Sequence, residues 1–221
     1  MSSIERIPLF PLGVVLFPGM WIPLQIFEER YKTMLSDCGM VEGQFGIVLI
    51  RRGHEVGPPA EPHAIGTLTR IAKVVPLPDG RFFIQTQGIR RFRICKLHHD
   101  RPYLRGEVEL LESTPPDSER VRTALPRVVS LYKAYIDAVR ALGGRIDEAP
   151  HTRHEPEFFS WLVASTLLVG PELQQELLEI DDVAERLERE AELLEESLRV
   201  LRTRAERKAG GRPGNLPFSL N

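Results

Sequence analysis

Short apolar runs separated by proline and glycine fill the first half of the chain. Ile65 to Leu77 and Arg81 to Thr86 flank Pro78-Asp79-Gly80, and Asp-Gly supplies the positive φ that a tight hairpin turn requires. Phe45 to Ile50 is a continuous apolar run, which is typical of a strand buried on both faces. In Leu104 to Leu110, apolar or small residues alternate with charged residues, as in a strand with one solvent-facing side. The spacing of these runs predicts about six short strands in a barrel or sandwich.

Three further segments of this half carry weaker signals. Ile7–Leu12 and Val14–Gly19 are interrupted by proline, which cannot donate to a β ladder, so both are predicted to be edges, bends or strand ends. In Ile26–Leu35, apolar residues recur at helical spacing and predict one short helix among the strands. The polar, proline-rich segment Gly53–Ala64 is expected to be a loop with a mobile tip.

The hydrophobic period changes after Thr114–Ser118, a linker that ends in good helix N-cap residues. From Val121 to Leu142, apolar residues are spaced alternately four and three apart, which predicts a helix with one apolar face. Pro126 lies inside this stripe, so the helix either begins there or is kinked there. Gly143-Gly144 is expected to end it.

Three more helices are predicted after this one. Phe158–Val169 is apolar nearly all round and is expected to be the central, buried helix of a small bundle. Glu172–Glu179 follows Pro171, which suits the first turn of a short helix. Asp181 or Asp182 is predicted to cap the last and longest helix.

Composition excludes several classes of protein. The chain has 221 residues and a formal net charge of −2, so as a whole it has no electrostatic preference for nucleic acid or anionic membrane. Its two cysteines, Cys38 and Cys95, form no CxxC pair, which favours a reducing compartment. Met1–Arg6 lacks the order of a signal peptide, and no apolar run approaches the roughly 20 residues of a membrane helix. We therefore expect a soluble, cytoplasmic protein.

The order of several short motifs resembles the N-terminal domain family of Lon proteases. The first group comprises Leu9-Phe10-Pro11-Leu12, Leu16-Phe17-Pro18-Gly19, Ile26-Phe27-Glu28 and Arg30-Tyr31. The second group comprises Gly66-Thr67-Leu68, Leu77-Pro78-Asp79-Gly80-Arg81, Arg91-Phe92-Arg93-Ile94 and Pro102-Tyr103-Leu104. Leu177–Val183 resembles the helical part of the same family. Each motif is short, but together they cover the chain from about residue 7 to residue 205.

The resemblance implies an α+β fold. Its first part is a PUA-like β pseudobarrel of about six strands with one short helix, and its second part is a helical bundle that ends in a long helix. We expect the barrel at residues 1–114, the bundle at 115–207 and a disordered tail at 208–221.

The resemblance also implies a substrate-capturing role without catalysis. The chain has no G-x-x-x-x-G-K-[ST] segment to hold phosphate and no G-x-S-x-G elbow. We therefore expect a stand-alone, non-enzymatic module without ATPase or peptidase domains and without a cofactor. It is predicted to recognise peptide segments or unfolded polypeptide as an adaptor, a holdase or a substrate selector for a separate protease or chaperone.

Apolar residues near proline-rich turns are the candidates for peptide binding, because methionine and aromatic side chains adapt to varied apolar peptides. These candidates are Phe17, Pro18, Met20, Trp21, Phe27 and Tyr31. Most of them are expected to be core residues, with one or two exposed. An exposed strand edge could also accept an extended segment by main-chain pairing.

Two alternatives remain open. Arg90, Arg91 and Arg93 enclose Phe92, and a basic strand with an aromatic residue could bind RNA, although Arg91 and Arg93 are expected simply to point outward to solvent. A hydrolase built on His151 and His154 is the other alternative. Metal binding there is disfavoured, because the segment lacks the ligand spacing of a known metal motif. It is equally disfavoured at His98-His99-Asp100, which is expected to be a solvated loop between strands. Cys38 has no identifiable orienting partner and is expected to be inert.

Overall fold

Six strands and five helices form the part of the chain that the computed structural model describes, namely residues 4–57, 60–113, 119–145 and 155–210, with side chains as far as residue 207. The strands are β1 (Ile4–Leu12), β2 (Trp21–Ile26), β3 (Gln44–Arg52), β4 (Glu61–Pro76), β5 (Phe82–His98) and β6 (Arg105–Leu110). The helices are α1 (Glu29–Cys38), α2 (Glu119–Ala141), α3 (Pro156–Thr166), α4 (Pro171–Glu179) and α5 (Val183–Gly210). These elements confirm the predicted α+β fold and its six strands.

Five of the strands close into a barrel, and the long strand β5 is one of them. One edge of β5 pairs with β4, while the other edge pairs with β2 along Phe82–Gln87 and with β6 along Phe92–His98. β6 then pairs with β1, β1 with β3 and β3 with β4, which completes the ring. Gly46 and Gly66 make room for the ring of Phe92 in the interior, since a Cβ at either position would lie within 3 Å of it. β2 remains outside this ring as an added edge strand.

The proline-containing first run forms β1, which lies between two strands, so the prediction of an edge is wrong for the strand as a whole. Each half of β1 nevertheless has one partner, because Ile4–Pro8 pairs with β6 and Leu9–Leu12 pairs with β3. One side of each half is therefore free of ladder bonds, and the missing donors of Pro8 and Pro11 are tolerated there. Val14–Gly19 is a bend and turn, as one of the predicted options had it.

The helix and loop boundaries of this half shift from their predicted positions. Ile26 belongs to β2, and α1 begins at Glu29. β4 begins at Glu61, so the loop predicted over Gly53–Ala64 is shorter. The hairpin is confirmed: the Leu77 N–H donates to the Arg81 carbonyl at 2.8 Å, and Gly80 has a φ of 79°.

The helical half follows its hydrophobic period closely. α2 continues through Pro126, whose side chain is exposed, and Gly143 follows its end with a φ of 90°. The Asp182 carboxylate accepts from the Glu185 N–H at 2.9 Å and caps α5. α5 runs to Gly210 and so includes the start of the segment predicted as a tail. The predicted linker Thr114–Ser118 and residues 211–221 lie outside the described residues.

The largest apolar core joins the barrel to the bundle. Phe17 and Ile65 from the strand-forming half pack among the buried residues of α2 to α5. The ring of Phe17 stacks on Trp161 of α3 with 5.8 Å between centroids. Two further cores lie within the β half, one beneath α1 and one around Phe92.

Candidate functional site

β2 presents an uncharged outer surface. Ile22 and Leu24 pack against the core beneath α1, so alternation turns Trp21, Pro23 and Gln25 outward. These three residues lie opposite Gln87, Gln85 and Phe83 of β5, respectively. We call this set of six residues the β2 face.

The outer edge of β2 has no strand partner within the described residues, since β2 pairs only with β5. The Met20 carbonyl accepts from the Gly88 N–H at 2.9 Å and therefore faces β5. Main-chain groups alternate in direction along an antiparallel strand, so those of Trp21, Pro23 and Gln25 face away from β5. Pro23 has no N–H to offer, which leaves the donors of Trp21 and Gln25 and three carbonyl acceptors along this edge.

The β2 face combines apolar area with amide groups. Trp21 is 52% exposed and Phe83 is 37% exposed. Gln85 can donate and accept hydrogen bonds without imposing a charge, whereas Gln25 accepts from Arg81 at 3.4 Å and Gln87 donates to the Gly19 carbonyl at 3.2 Å. Such a surface suits a ligand that stacks apolar side chains on the rings and pairs its backbone with the β2 edge.

The structure divides the six predicted peptide-binding residues into three groups. Trp21 and Phe27 are exposed, Pro18 and Met20 are half-buried, and Phe17 and Tyr31 are buried. Two exposed residues agree with the expected number. They do not form one patch, because Trp21 begins β2 and Phe27 follows its end, about 20 Å away along an extended strand.

Tyr31 is a core residue. Its ring stacks on Phe10 with 4.0 Å between centroids, and the Arg30 guanidinium lies 4.5 Å from its ring centre. Burial raises the pKa of Tyr31 to about 12. This side chain holds α1 against β1 and is closed to a ligand.

Neither the strand β2 nor a binding role for Phe83 was predicted from the sequence. The signal was present, since Ile22, Leu24 and Ile26 alternate with Trp21, Pro23 and Gln25. The strand was not predicted because Pro23 lies at the centre of this pattern, and proline weakens the prediction of a strand. The exposure of Ile89 was not predicted either; this residue lies at a register shift between β4 and β5 and is 41% exposed.

Arg91 does not point into solvent, and that prediction is wrong. Its side chain is 2% exposed, and it donates to the carbonyls of Leu178 and Ile180 at 2.9 and 3.2 Å. It also forms an ion pair with Asp181 at 2.9 Å. The residue does leave the barrel on the side opposite Phe92, but the corner between α4 and α5 covers it there.

This burial weakens the RNA alternative. Burial lowers the pKa of Arg91, while Asp181 opposes that shift. Arg90 and Arg93 are both exposed, and Arg90 lies 4.0 Å from Glu112 across a groove of about 300 Å³. One of the three arginines is therefore committed to joining the barrel to the bundle.

A second buried arginine lies beside Arg91 and completes a polar network. Arg186 of α5 is fully buried, and its guanidinium lies 3.4 Å from the ring centre of Trp161. It donates to the Ser160 hydroxyl at 2.7 Å, which in turn donates to Glu190 at 2.6 Å. Burial lowers the pKa of Arg186 to about 10 and raises the pKa of Glu190 to about 8.

A sequence model of the ATP-dependent protease La (LON) substrate-binding domain matches residues 6–196. The chain belongs to this family. Lon protease of Halothermothrix orenii is 29% identical over 193 residues, which cover 86% of this chain and 24% of that protein. Lon protease 2 of Myxococcus xanthus is 27% identical over 201 residues, which cover 90% and 24%. The chain thus spans about a quarter of the length of these Lon proteases.

Solved structures of Lon N-terminal domains share this fold. The Lon N-terminal domain protein from Xanthomonas campestris is 30% identical with a TM-score of 0.64, over 84% of this chain and 96% of that one. The N-terminal domain of Mycobacterium avium complex Lon protease is 19% identical with a TM-score of 0.63, over 86% and 98%. The resemblance read from the motifs is therefore confirmed. The matched domain is a substrate-binding domain, not an ATPase or peptidase domain.

Of the remaining sequence candidates, the structure describes His98, His99, Asp100 and Cys38. His98 contacts Glu107 at 2.9 Å, and Asp100 pairs with Arg105 at 3.1 Å. Burial raises the pKa of the Cys38 thiol, which makes its thiolate scarcer. His151 and His154 lie outside the described residues, among which no group of three or more potential metal ligands occurs. No helix in the described ranges is long and apolar enough to span a membrane.

Proposed function

We propose that this chain captures extended, uncharged segments of unfolded polypeptide on the β2 face and pairs them with the free β2 edge. The observation that supports the proposal most directly is the coincidence of an unpaired strand edge with Trp21, which is 52% exposed. Main-chain pairing would supply affinity for any sequence, and contacts with Trp21 and Phe83 would favour apolar side chains. The family's substrate-binding description agrees with this role.

The biological consequence would be selection of substrates for other machinery. Individually weak contacts suit an adaptor or holdase, which has to release what it captures. We therefore infer that the chain presents bound segments to a separate protease or chaperone.

Replacing Trp21 tests the face. Trp21→Ala is expected to raise the dissociation constant for a labelled, permanently unfolded protein by about tenfold, because exposed aromatic anchors dominate such interfaces. Fluorescence anisotropy of the labelled unfolded protein measures the dissociation constant. Val129→Ala is the control, because Val129 is an exposed apolar residue of α2. High salt should leave the affinity nearly unchanged.

Two results would reject this proposal. One is equal binding by Trp21→Ala and Val129→Ala. The other is binding of single-stranded RNA alone, lost as salt rises, which would favour phosphate contacts instead.

Replacing Gln25 tests the edge. Gln25→Pro removes the outward main-chain donor and spares the ladder, which uses the main-chain groups of Leu24 and Ile26. We expect it to weaken capture about fivefold relative to Gln25→Ala, the loss of about one hydrogen bond. Protection of the Leu24 and Ile26 amides from hydrogen exchange equal to that of the wild type would establish that β2 remains paired. Equal affinities of the two variants would show that capture does not use the edge.

A further inference from the structure

An acidic cleft of about 600 Å³ lies where the start of β4 meets the corner between α4 and α5. Its lining includes six carboxylates: Glu172, Glu176, Glu179, Asp181, Asp182 and Glu185. The β2 face adjoins the opposite end of β4, since Phe83 pairs with Val75 whereas His63 of the cleft lies near the first residue of the strand. The cleft is therefore separate from the β2 face.

The charge of this cleft is only partly compensated. Asp181 pairs with Arg91, and Glu176 pairs with Arg189 at 2.6 Å. Glu172 and Glu185 make no ion pair with any described residue. Their positions in the first turns of α4 and α5 are favourable for carboxylates.

Glu179 is placed differently: it accepts from the Gln175 amide at 2.8 Å, and its carboxylate lies 3.7 Å from the His63 imidazole of the cleft. It is the last residue of α4, where the helix dipole disfavours a negative charge. The grouping of carboxylates at this corner thus exceeds what helix ends alone require.

Gln175 adds an independent observation that a ligand could satisfy. Its side chain lines the cleft and is only 2% exposed. Its amide nitrogen donates to the Ile65 carbonyl at 3.0 Å and to Glu179 at 2.8 Å, which fixes the orientation of the amide. Its Oε1 has no hydrogen-bond partner among the described residues. Oε1 of Gln175 is an acceptor beside several carboxylates, so the ligand that suits it best is a hydrogen-bond donor with a positive charge.

We propose that the acidic cleft binds an arginine- or lysine-bearing segment of a partner polypeptide. A long basic side chain would lie between Glu172 and Glu185 and donate an N–H to Oε1 of Gln175. A divalent metal fits less well, because the described residues contain no group of three or more ligands that converge on a point. This site gives the chain a preference for basic segments that is independent of capture on the β2 face.

Paired substitutions test this site. The probe is a short labelled peptide of alternating glycine and arginine, and the same peptide with neutral citrulline in place of arginine is the ligand control. Removing both unpaired carboxylates in Glu172→Gln/Glu185→Gln is expected to weaken binding of the arginine peptide about fivefold at low salt. Glu196→Gln/Glu206→Gln changes the net charge equally on an exposed part of α5 and should change affinity less than about twofold.

A second measurement reports on Gln175 itself. In a proton–nitrogen correlation spectrum, the side-chain amide signals of Gln175 should shift as the arginine peptide saturates the protein. Equal affinity of the two double variants, equal binding of the citrulline peptide, or unmoved Gln175 signals would each overturn the proposal.

Two further outcomes are informative. Salt-sensitive self-association that Glu172→Gln/Glu185→Gln abolishes would identify the occupant as a second copy, through the basic end of its α5, and not as a partner. Trp21→Ala should leave arginine-peptide binding intact, so failure of the β2-face proposal and failure of this one are distinguishable.

Discussion

Replacing Arg186 by methionine is expected to lower the free energy of unfolding by about 3 kcal/mol, because removing one member of a buried charged network breaks its hydrogen bonds and leaves the remaining polar groups only partly satisfied. The variant loses the stacking on Trp161 and the bonds to Ser160 and the Ile180 carbonyl. Glu190 would also lose its nearby positive charge. Urea unfolding followed by the fluorescence of buried Trp161 measures the change.

The matched control is Arg202→Met, which removes the same charge from an exposed turn of α5. It is expected to change stability by less than about 0.5 kcal/mol. A loss for Arg186→Met no larger than that of the control would mean that packing alone holds α3 against α5.

Glu190 makes the stability of the fold depend on pH. It is fully buried, and burial raises its pKa to about 8 from an ordinary value of 4.5. The folded state therefore binds a proton that the unfolded state releases between these values. This contribution to stability is complete below the unfolded pKa and is lost as pH rises through the folded pKa.

Glu190→Gln mimics the protonated side chain and should remove this dependence. We expect the wild-type free energy of unfolding to fall, relative to that of the variant, by about 2 kcal/mol between about pH 6 and pH 8. Chemical unfolding at several pH values gives the difference, and Glu196→Gln, on the exposed side of α5, should show none. A difference that stays constant over this range would indicate that Glu190 is ionised and paired electrostatically with Arg186.

Sequence patterns predicted most of the helices and strands, because these elements depend on residues that are close in sequence. The apolar stripe of α2 and the cap of α5 depend on neighbours a few residues away, so the sequence carries them directly. The Asp-Gly turn between β4 and β5 is equally local. β2 was missed because its pairing with β5, about 60 residues later, overrides the proline at its centre.

The candidate site was predicted only in part, because exposure depends on what covers each residue. Alternation correctly placed Arg91 on the outside of the barrel but carried no information that α4 and α5 cover that outside. Trp21 and Phe17 lie four residues apart, yet Phe17 is buried and stacks on Trp161 of α3, whereas Trp21 is 52% exposed. Such outcomes arise from contacts about 90 to 140 residues apart in sequence, which no local pattern encodes.

The closure of the barrel through β1 also sets the order in which the chain can fold. β1 is synthesised before the other described strands, but its antiparallel partner β6 lies about 100 residues later, as the pairing of Ile4 with Glu109 shows. The β4–β5 hairpin and the individual helices need only nearby residues and can form quickly, whereas ring closure has to overcome the entropy of a long loop. Until β6 has been made, the apolar side chains of β1 have no complete barrel in which to bury. β1 can pair with β3, which is much closer in sequence, before β6 exists, so folding during translation should be limited by the closure of the ring between β1 and β6.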